Sequence, residues 1–308
     1  MKQKVLSLCF PTYNRGWCMK EQIERLKSCP KDVLDRMEII ISDNCSTDDT
    51  QQIVEDAIAD GFVCRYIRNE TNLGMDGNFV SCFRKAQGRY VWLLGDDDYI
   101  VVDSLGEIIY YLDKDEEFGL LHIYSKPKRS KSGFVKYTNF DDCLKETSYN
   151  ITFISANIVN TRYVQTVDFS RYMGTWFTLM PVYINALRGE QNNIVYYEVS
   201  FDGGYDKARN GGYNYFNVFV QNYQNIWNEY YQMHLITASE FAFLKKDIWP
   251  IIFGGIRSLM FRRDKNNYRR ERAWHILLKY YGNEWYFWWT FIKYPFELLK
   301  RKISKKHK

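Results

Sequence analysis

The sequence of 308 residues lacks the features of several large protein classes. It has no stretch of 18 consecutive apolar residues free of charge, which predicts that no helix spans a membrane. The N-terminus has no apolar segment of the kind that a secretion signal needs. The seven cysteines form no CxxC pair, and only four histidines are present. We therefore expect a cytoplasmic protein with reduced thiols and no zinc site.

The net charge is also small. The 42 Lys and Arg residues exceed the 37 Asp and Glu residues by only five. A surplus this small does not indicate nucleic-acid binding, and no DNA- or RNA-binding motif is present. A concentrated basic groove with interleaved aromatic residues is missing as well. We therefore expect no nucleic-acid partner.

Strand and helix patterns alternate over the first hundred residues. Short apolar runs predict strands, and segments with apolar residues at helical spacing predict the helices between them. The strands are expected at 5–10, 37–42, 63–68 and 90–94, and the helices at 16–29, 49–59 and 75–86. Two later segments, 174–189 and 214–235, are also expected to be helical. Repeated strand–helix units predict an α/β fold with a mostly parallel central sheet flanked by helices.

Polar residues follow three of the predicted strands. Thr12 to Arg15 follow the first strand, Asp43 to Ser46 the second, and Asp96 to Asp98 the fourth. Ligands of such sheets bind beyond the carboxyl ends of the strands, so these side chains are expected to meet at one edge. That convergence predicts an active site.

Three adjacent aspartates, Asp96, Asp97 and Asp98, lie directly behind an apolar strand. Carboxylates this close raise one another's pKa unless a counter-ion is present. Mg²⁺ or Mn²⁺ would neutralise them, because these ions prefer carboxylate and phosphate oxygens. Asp96 and Asp98 share one side of an extended backbone, which makes them the candidate metal ligands. The alternative is a cluster of acidic residues before a helix at 104–112, favoured by the helix dipole.

Taken in order, the motifs resemble the family 2 glycosyltransferases of the GT-A fold. The resemblance covers roughly residues 4–105. It rests on Phe-Pro-Thr-Tyr-Asn-Arg at 10–15, Ser-Asp-Asn-Cys-Ser-Thr-Asp-Asp-Thr at 42–50, Asn72-Leu73-Gly74 with Asn78, Ala-Gln-Gly at 86–88, and Leu-Gly-Asp-Asp-Asp at 94–98. The form Trp-Leu-Leu-Gly-Asp-Asp-Asp at 92–98 is similar to the abequosyltransferase-like bacterial subgroup.

The resemblance implies a role for each motif. Asp96 and Asp98 resemble the DxD motif, in which Mg²⁺ or Mn²⁺ bridges a carboxylate and the diphosphate of the donor. The residues that would bind the nucleotide sugar are Pro11, Thr12, Tyr13, Asn14, Arg15, Asp43, Asn72, Gly74, Asn78 and Asp97. Turn chemistry remains the alternative for Asn14 and Asn72, and a cap role remains the alternative for Asp43.

Two departures from the family pattern affect the site. Gly95 stands where the family more often has the first aspartate of D-x-D-D, so the metal could be held by any two of the three aspartates. The segment 173–177, where the family usually places a catalytic base, contains no carboxylate. Four residues could replace that base, and the sequence does not choose among them: Asp168, Glu190, Asp202 and Asp206.

The resemblance implies a GT-A catalytic domain over residues 1–235. Residues 1–105 would bind the nucleotide sugar and residues 106–235 the acceptor, and a helical, aromatic-rich extension with a basic tail would occupy 236–308. The implied activity is inverting, metal-dependent transfer of a hexosyl or deoxyhexosyl group to a glycan or lipid-linked glycan in surface polysaccharide biosynthesis.

Two other functions stay open. One is a nucleotidyltransferase, although its usual glycine-rich loop after the first strand is absent here. The other is a non-catalytic, sugar-binding or membrane-associated scaffold, which the missing carboxylate near Thr175 would support.

The last 35 residues combine aromatic side chains with a basic tail. Residues 274–291 contain four tryptophans, and Lys and Arg residues dominate 300–308. This combination fits peripheral contact with an anionic membrane at its cytoplasmic face. The alternative is a helix packed on the protein and followed by a disordered basic tail.

Overall fold

The computed structural model describes residues 4–114, 116–124, 130–203, 211–261 and 267–292. The chain forms two compact units, Met1–Ala208 and Arg209–Lys308. This division lies ahead of residue 235, where the sequence led us to expect the end of the catalytic domain. The helical segment after residue 216 packs with the C-terminal helices and therefore belongs to the second unit.

The first unit contains ten strands and seven α-helices among its described residues. The strands are β1 Leu6–Thr12, β2 Met37–Asp43, β3 Arg65–Arg68, β4 Tyr90–Leu93, β5 Asp98–Ile100, β6 Leu120–Ile123, β7 Phe134–Tyr137, β8 Asn157–Asn160, β9 Asn193–Tyr196 and β10 Phe201–Gly203. The helices are α1 Gly16–Lys27, α2 Lys31–Leu34, α3 Thr50–Ala59, α4 Gly74–Lys85, α5 Val102–Leu112, α6 Phe140–Thr147 and α7 Met180–Gly189. Short 3₁₀ segments cover Ser148–Thr152, Ile154–Ala156, Thr161–Thr166 and Phe169–Arg171.

Eight of these strands form one sheet, in the order β3-β2-β1-β4-β8-β6-β9-β7. The three pairs among β3, β2, β1 and β4 are parallel, as is β6 with β9, whereas the pairs made by β8 and β7 are antiparallel. The expectation of a mostly parallel α/β sheet is thus confirmed, with the parallel strands grouped in the half that carries the motifs. A two-stranded pair joins β5 to β10.

The parallel strands are buried on both faces, which explains why they are continuous apolar runs. Every residue of β1 is buried, and β2 is buried except at Glu38. Helices α1, α4 and α5 each turn an apolar side to the interior, through residues such as Ile23, Phe79 and Ile108. The strand ends that carry the motifs are therefore held by a rigid core.

Two predicted helices begin later than expected. The helix predicted from residue 174 starts at Met180, because Gly174 and Trp176 have positive φ angles of 79° and 67°, which right-handed helix geometry does not allow. The helix predicted from residue 214 is preceded by a strand, β11 Gly211–Asn214, which pairs with β12 Asn267–Arg269.

The second unit is helical and rich in aromatic contacts. It contains a π-helical segment Asn217–Asn222, then α8 Tyr223–Gln232, α9 Ala238–Asp247, α10 Trp249–Phe261 and α11 Ala273–Tyr281, and a further helical segment at 285–292. Trp249 packs against the rings of Tyr281, Tyr286 and Phe287. Among the described residues, no helix has both the length and the apolar character that crossing a bilayer requires.

Candidate active site

The motifs meet at the carboxyl ends of neighbouring strands. Thr12 ends β1 and is paired in register with Asp43, which ends β2. Asp96 to Asp98 follow β4, the neighbour of β1 on its other side. The predicted convergence of these three polar segments is thus observed in the fold.

Arg15 and Thr12 contact the acidic cluster directly. The guanidinium Nη1 of Arg15 donates to Asp96 Oδ1 at 2.6 Å and lies 3.1 Å from Asp97 Oδ2. The Thr12 hydroxyl donates to Asp96 Oδ2 at 2.9 Å. The first motif therefore supplies the counter-ion of the last one, which the spacing in sequence did not reveal.

Asp98 points to a different partner. Its Oδ2 accepts a 2.6 Å hydrogen bond from the Ser155 hydroxyl, and Ser155 Oγ in turn accepts from the Gly95 amide at 2.9 Å. Burial is the main cause that raises the pKa of Asp96 and of Asp98 to about 6, and the negative charge of Asp97 adds to it. The cluster thus favours binding a further positive group.

The donor set suits a hard divalent cation. Carboxylate oxygens of Asp96 and Asp97 converge on one cationic atom of Arg15, so a single point is within reach of two carboxylates. Magnesium and manganese are commonly held by one or two carboxylates together with substrate phosphates. Within the described residues, no group of three or more His, Cys, Asp or Glu side chains is arranged as a complete metal site, so donor phosphates would have to complete the coordination.

Asp43 is buried beneath the end of the sheet and fully engaged. Its Oδ1 accepts from the Ser46 amide at 2.8 Å, and its Oδ2 accepts from the Tyr66 hydroxyl at 2.6 Å. The guanidinium of Arg68 lies 3.7 Å from the same Oδ2. Sequence reasoning missed Tyr66 and Arg68, although their spacing of two residues on β3 places both on one face of that strand.

The loops after β1 and β2 are bonded to each other. The amide of Asn14 donates to Ser46 Oγ at 2.9 Å, and Asn14 Oδ1 accepts from the Thr47 amide at 2.7 Å. Asn14 has a positive φ of 53°, which asparagine tolerates better than most residues. Tyr13 next to it is 44% exposed, so its ring is available to a ligand. Pro11 is buried within β1.

The segment before α4 is bonded to the end of β2. Asn44 Nδ2 donates to Asn72 Oδ1 at 2.8 Å and to the Gly74 carbonyl at 3.1 Å. Gly74 has a φ of 72°, a conformation that glycine adopts without strain. Asn72 and Gly74 thus lie beside the second motif.

Asn78 lies beneath the end of β2. It is buried, its Nδ2 donates to the Ser42 carbonyl at 2.9 Å, and its Oδ1 accepts from the Ser42 hydroxyl at 2.7 Å. With both ends of its amide bonded inside the protein, Asn78 holds the end of β2.

The substitutes considered for the catalytic base are engaged elsewhere. Asp168 accepts from the amide and hydroxyl of Ser170, and Glu190 binds Arg162 and Tyr163. Asp202 pairs with Arg25 at 2.9 Å, although β10 places it opposite Tyr99 beside the acidic cluster. Asp206 lies outside the described residues.

The model of the family described as Glycosyl transferase family 2 matches residues 7–177, which is more than half of the chain. The chain belongs to this family. The matched segment begins in β1 and ends in the turn before α7, so it includes all the motifs described above.

Two curated relatives match shorter segments. Abequosyltransferase RfbV of Salmonella typhimurium is 38% identical over 117 residues, 38% of this chain and 35% of that protein, which confirms the expected likeness to the abequosyltransferase-like subgroup. GalNAc(5)-diNAcBac-PP-undecaprenol beta-1,3-glucosyltransferase of Campylobacter jejuni is 30% identical over 129 residues, 42% of this chain and 40% of that protein. The chain therefore matches less than half the length of either relative.

A solved structure confirms the GT-A type of fold. The mannosyltransferase PcManGT of Pyrobaculum calidifontis, in complex with GDP-Man and Mn²⁺, superposes with a TM-score of 0.54 over 81% of this chain and 70% of that chain. The two sequences are 14% identical, so this likeness concerns the fold.

Proposed function

We propose that this protein transfers a sugar from a nucleoside diphosphate donor to a hydroxyl of a glycan or lipid-linked glycan, with Mg²⁺ or Mn²⁺ as cofactor. The observation that supports this most is the placement of Asp43 and of the Arg15–Asp96–Asp97 cluster at the ends of adjacent parallel strands. One edge of a rigid sheet thus offers a hydrogen-bonding site for a nucleoside and a charged site for a diphosphate. The family and its relatives agree with this activity.

Different residues of the site would bind the base, the diphosphate and the metal. Asp43, buried and held by Tyr66 and Ser46, would fix the loop after β2 beside the nucleoside, and the exposed Tyr13 ring can lie against the base. Arg15 reaches both Asp96 and Asp97 and can turn its other donors to a phosphate. Asp96 and either Asp97 or Asp98 would hold the metal, which supplies stabilisation of the charge on the departing diphosphate when it is bound. In an inverting reaction a base removes the proton of the acceptor hydroxyl as the hydroxyl attacks the anomeric carbon.

The class of acceptor is proposed from the relatives. The Campylobacter jejuni protein is named for a substrate linked to undecaprenol through a diphosphate, and RfbV is named as an abequosyltransferase. We propose that the acceptor of this chain is likewise a glycan or lipid-linked glycan, in the biosynthesis of a bacterial surface polysaccharide.

A thermal-shift screen tests the donor. UDP-, CDP-, GDP- and dTDP-sugars are compared with and without Mn²⁺, because a ligand that binds the native state raises its apparent stability. The correct donor is expected to raise Tm in the presence of the metal and to be converted to free nucleoside diphosphate. Asp98→Ala should abolish that conversion while the protein stays folded, and Asp60→Ala, at the exposed end of α3, is the matched control.

The products separate the other candidates. A nucleotidyltransferase would transfer the nucleoside monophosphate and release a sugar 1-phosphate from these donors, and a non-catalytic scaffold would bind the donor without converting it. Full turnover by Asp98→Ala after chelation of metal would contradict the metal-dependent mechanism.

We also propose that the second unit contacts an anionic membrane. The helical segment 285–292 has Trp285, Trp288, Trp289 and Ile292 on one face, and each is more than half exposed. Its opposite face is buried through Tyr286 and Phe287. Tryptophans on an outward helix face favour the interfacial region of a bilayer.

The same surface continues onto α11 and is bordered by positive charge. The exposed ring of Trp274 lies 6.0 Å from that of Phe291, and Lys246 lies over the ring of Trp285. In sequence, a lysine-rich segment follows directly, although residues 293–308 lie outside the described part of the chain. Apolar rings next to basic residues match a surface of anionic lipid.

Vesicles test this contact. The protein is expected to float with vesicles that contain phosphatidylglycerol, and brominated lipids should quench its tryptophan fluorescence. Trp288→Ala with Trp289→Ala should weaken flotation, whereas Tyr110→Ala, which removes an even more exposed ring from the first unit, should not. Equal flotation of the double tryptophan variant and Tyr110→Ala would refute a docking role for the tryptophan face. If the protein without residues 293–308 floats as well as the full-length protein, the tail is not an anchor.

A further inference from the structure

Asp76 is a buried carboxylate that the binding of the donor does not use. It lies in the first turn of α4 and is 7% exposed. Its Oδ2 accepts a hydrogen bond from the Gly174 amide at 2.7 Å and another from the Trp176 amide at 3.3 Å. One side chain of the first half of the unit thus holds a turn that lies about a hundred residues further along the chain.

The turn that Asp76 holds has an unusual backbone. Gly174 and Trp176 both adopt positive φ, at 79° and 67°. A bulky residue such as tryptophan rarely adopts this conformation, and it persists only where the surroundings impose it. The hydrogen bonds to Asp76 converge on the amides of these two residues, so the carboxylate is the group that imposes it.

The position of Asp76 has an electrostatic cost that folding does not explain. Its Oδ1 is buried and has no hydrogen-bond partner among the described residues, and no ion pair to Asp76 occurs in that part of the chain. Burial raises the pKa of its carboxyl group, and the backbone amides of the turn oppose that effect. A buried polar atom without a partner is disfavoured, and such departures cluster at functional sites.

The turn lies at the same edge of the sheet as the donor site. On one side, α4 begins at Gly74, and both Gly74 and Asn72 are bonded to Asn44 next to Asp43. On the other side, Trp176 lines a small void together with Ile154, whose neighbour Ser155 donates to Asp98. The turn therefore lies between segments that contact the second motif, through Asn44, and the last motif, through Asp98.

We propose that Asp76 is a positioning residue that fixes the turn Met173–Phe177 as the acceptor-side wall of the active site. The proposal rests on the glycosyltransferase function proposed above. The sequence offers no carboxylate within this turn, and the fold brings one to it from α4. Asp76 acts through the backbone of the turn and, with its carboxylate enclosed, is not itself the group that meets the acceptor hydroxyl.

Two kinds of variant perturb this arrangement independently. Asp76→Ala removes the carboxylate, and Asp76→Asn keeps an oxygen that can accept from the turn amides. Gly174→Ala strains the same turn through its positive φ alone, because a Cβ there meets open space. Gly61→Ala is the matched control, since Gly61 has a φ of 93°, also has open space around it and lies in the turn after α3.

Transfer to an acceptor shows whether the turn positions it. The probes are the nucleotide sugar chosen by the donor screen and a long-chain alkyl diphosphate of N-acetylglucosamine. Asp76→Ala and Gly174→Ala should each raise the KM for this acceptor about tenfold or more, as expected when a positioning element is displaced. Hydrolysis of the donor by water and the affinity for the nucleoside diphosphate should stay within about twofold, and Asp76→Asn should recover part of the loss. The double variant should be no worse than Asp76→Ala, because both changes act through one turn.

Other outcomes would overturn the positioning role. An unchanged acceptor KM in Asp76→Ala would do so, as would the same defect in Gly61→Ala. Equal loss of kcat in Asp76→Ala and Asp76→Asn at unchanged acceptor KM would assign Asp76 as the base instead.

Amide hydrogen exchange tests the contact without any acceptor. Exchange of residues 174–176 should become faster in Asp76→Ala while that of 43–46 stays unchanged, and an unchanged rate at 174–176 would refute the proposal. If the wild-type protein failed to use the alkyl diphosphate probe, the proposed acceptor class would be wrong. The exchange result would still decide the role of Asp76.

Discussion

Removal of the Arg15 guanidinium should expose how far the acidic cluster depends on a counter-ion. Arg15→Met keeps most of the side-chain stem and removes the cation that lies 2.6 Å from Asp96 and 3.1 Å from Asp97. Breaking a buried ion pair by removing one partner costs about 3–5 kcal/mol. Arg15 is partly exposed and Asp96 keeps its bond to Thr12, so we expect the free energy of unfolding to fall by about 2–3 kcal/mol.

Urea unfolding near neutral pH measures this change, and a double-mutant cycle identifies its cause. Asp96→Asn removes the charge that Arg15 compensates, so the double variant should be less unstable than the sum of the single variants predicts, by about 1 kcal/mol or more. Ordinary surface substitutions change the free energy of unfolding by no more than about 0.5 kcal/mol. A change of this size in Arg15→Met would refute the reasoning. Strict additivity of the two changes would refute it as well.

A cation should replace the missing guanidinium. Because a ligand that binds only the native state stabilises it, Mn²⁺ is expected to raise the Tm of Arg15→Met more than that of Arg15→Met with Asp96→Asn. An equal response of the two variants would show that the ion binds elsewhere.

Two further changes test polar contacts of the central sheet, one at each end of β2. Tyr66→Phe removes the 2.6 Å bond to buried Asp43 and should lower the free energy of unfolding by about 1.5–3 kcal/mol. Calorimetry should also show weaker binding of the nucleoside diphosphate. The control Tyr110→Phe, at an exposed position, should change neither quantity. Partial burial raises the pKa of Glu38, but bonds from Ser7, the Gln87 amide and Arg65 outweigh this and lower the pKa overall. A folded-state pKa below the unfolded value stabilises the protein above the unfolded pKa, and this contribution is lost as pH falls through the folded pKa. The stability difference between the wild-type protein and Glu38→Gln should therefore shrink on acidification below about pH 4.5, and a constant difference in urea titrations would contradict this.

The fold of the first half could be predicted because its signals are local. The runs that became β1, β2 and β4 are continuous and apolar since parallel strands are buried on both faces, and the polar residues that end them must lie at one edge by the geometry of parallel sheets. Thr12, Asp43 and Asp96 were therefore placed correctly without any tertiary information.

Long-range pairing was decided by the tertiary structure alone. Nothing in the pattern of residues 10–15 indicates that Arg15 would contact Asp96, because the contact depends on which strands become neighbours. The bond between Ser155 and Asp98 likewise depends on β8 pairing beside β4. The number of alternative strand orders is large, and periodicity within a strand does not select among them.

The turn at 173–177 shows the same limit most clearly. Its composition and spacing predicted a helix from residue 174, whereas Gly174 and Trp176 adopt left-handed conformations. Local propensity favoured the helix, and the carboxylate of Asp76, delivered by a distant helix, outweighed it through hydrogen bonds to the turn amides. The order of the motifs and the edge at which they meet follow from the amino-acid sequence. The tertiary structure decided which charges face one another there, because Coulomb forces and hydrogen bonds act between neighbours in space rather than along the chain.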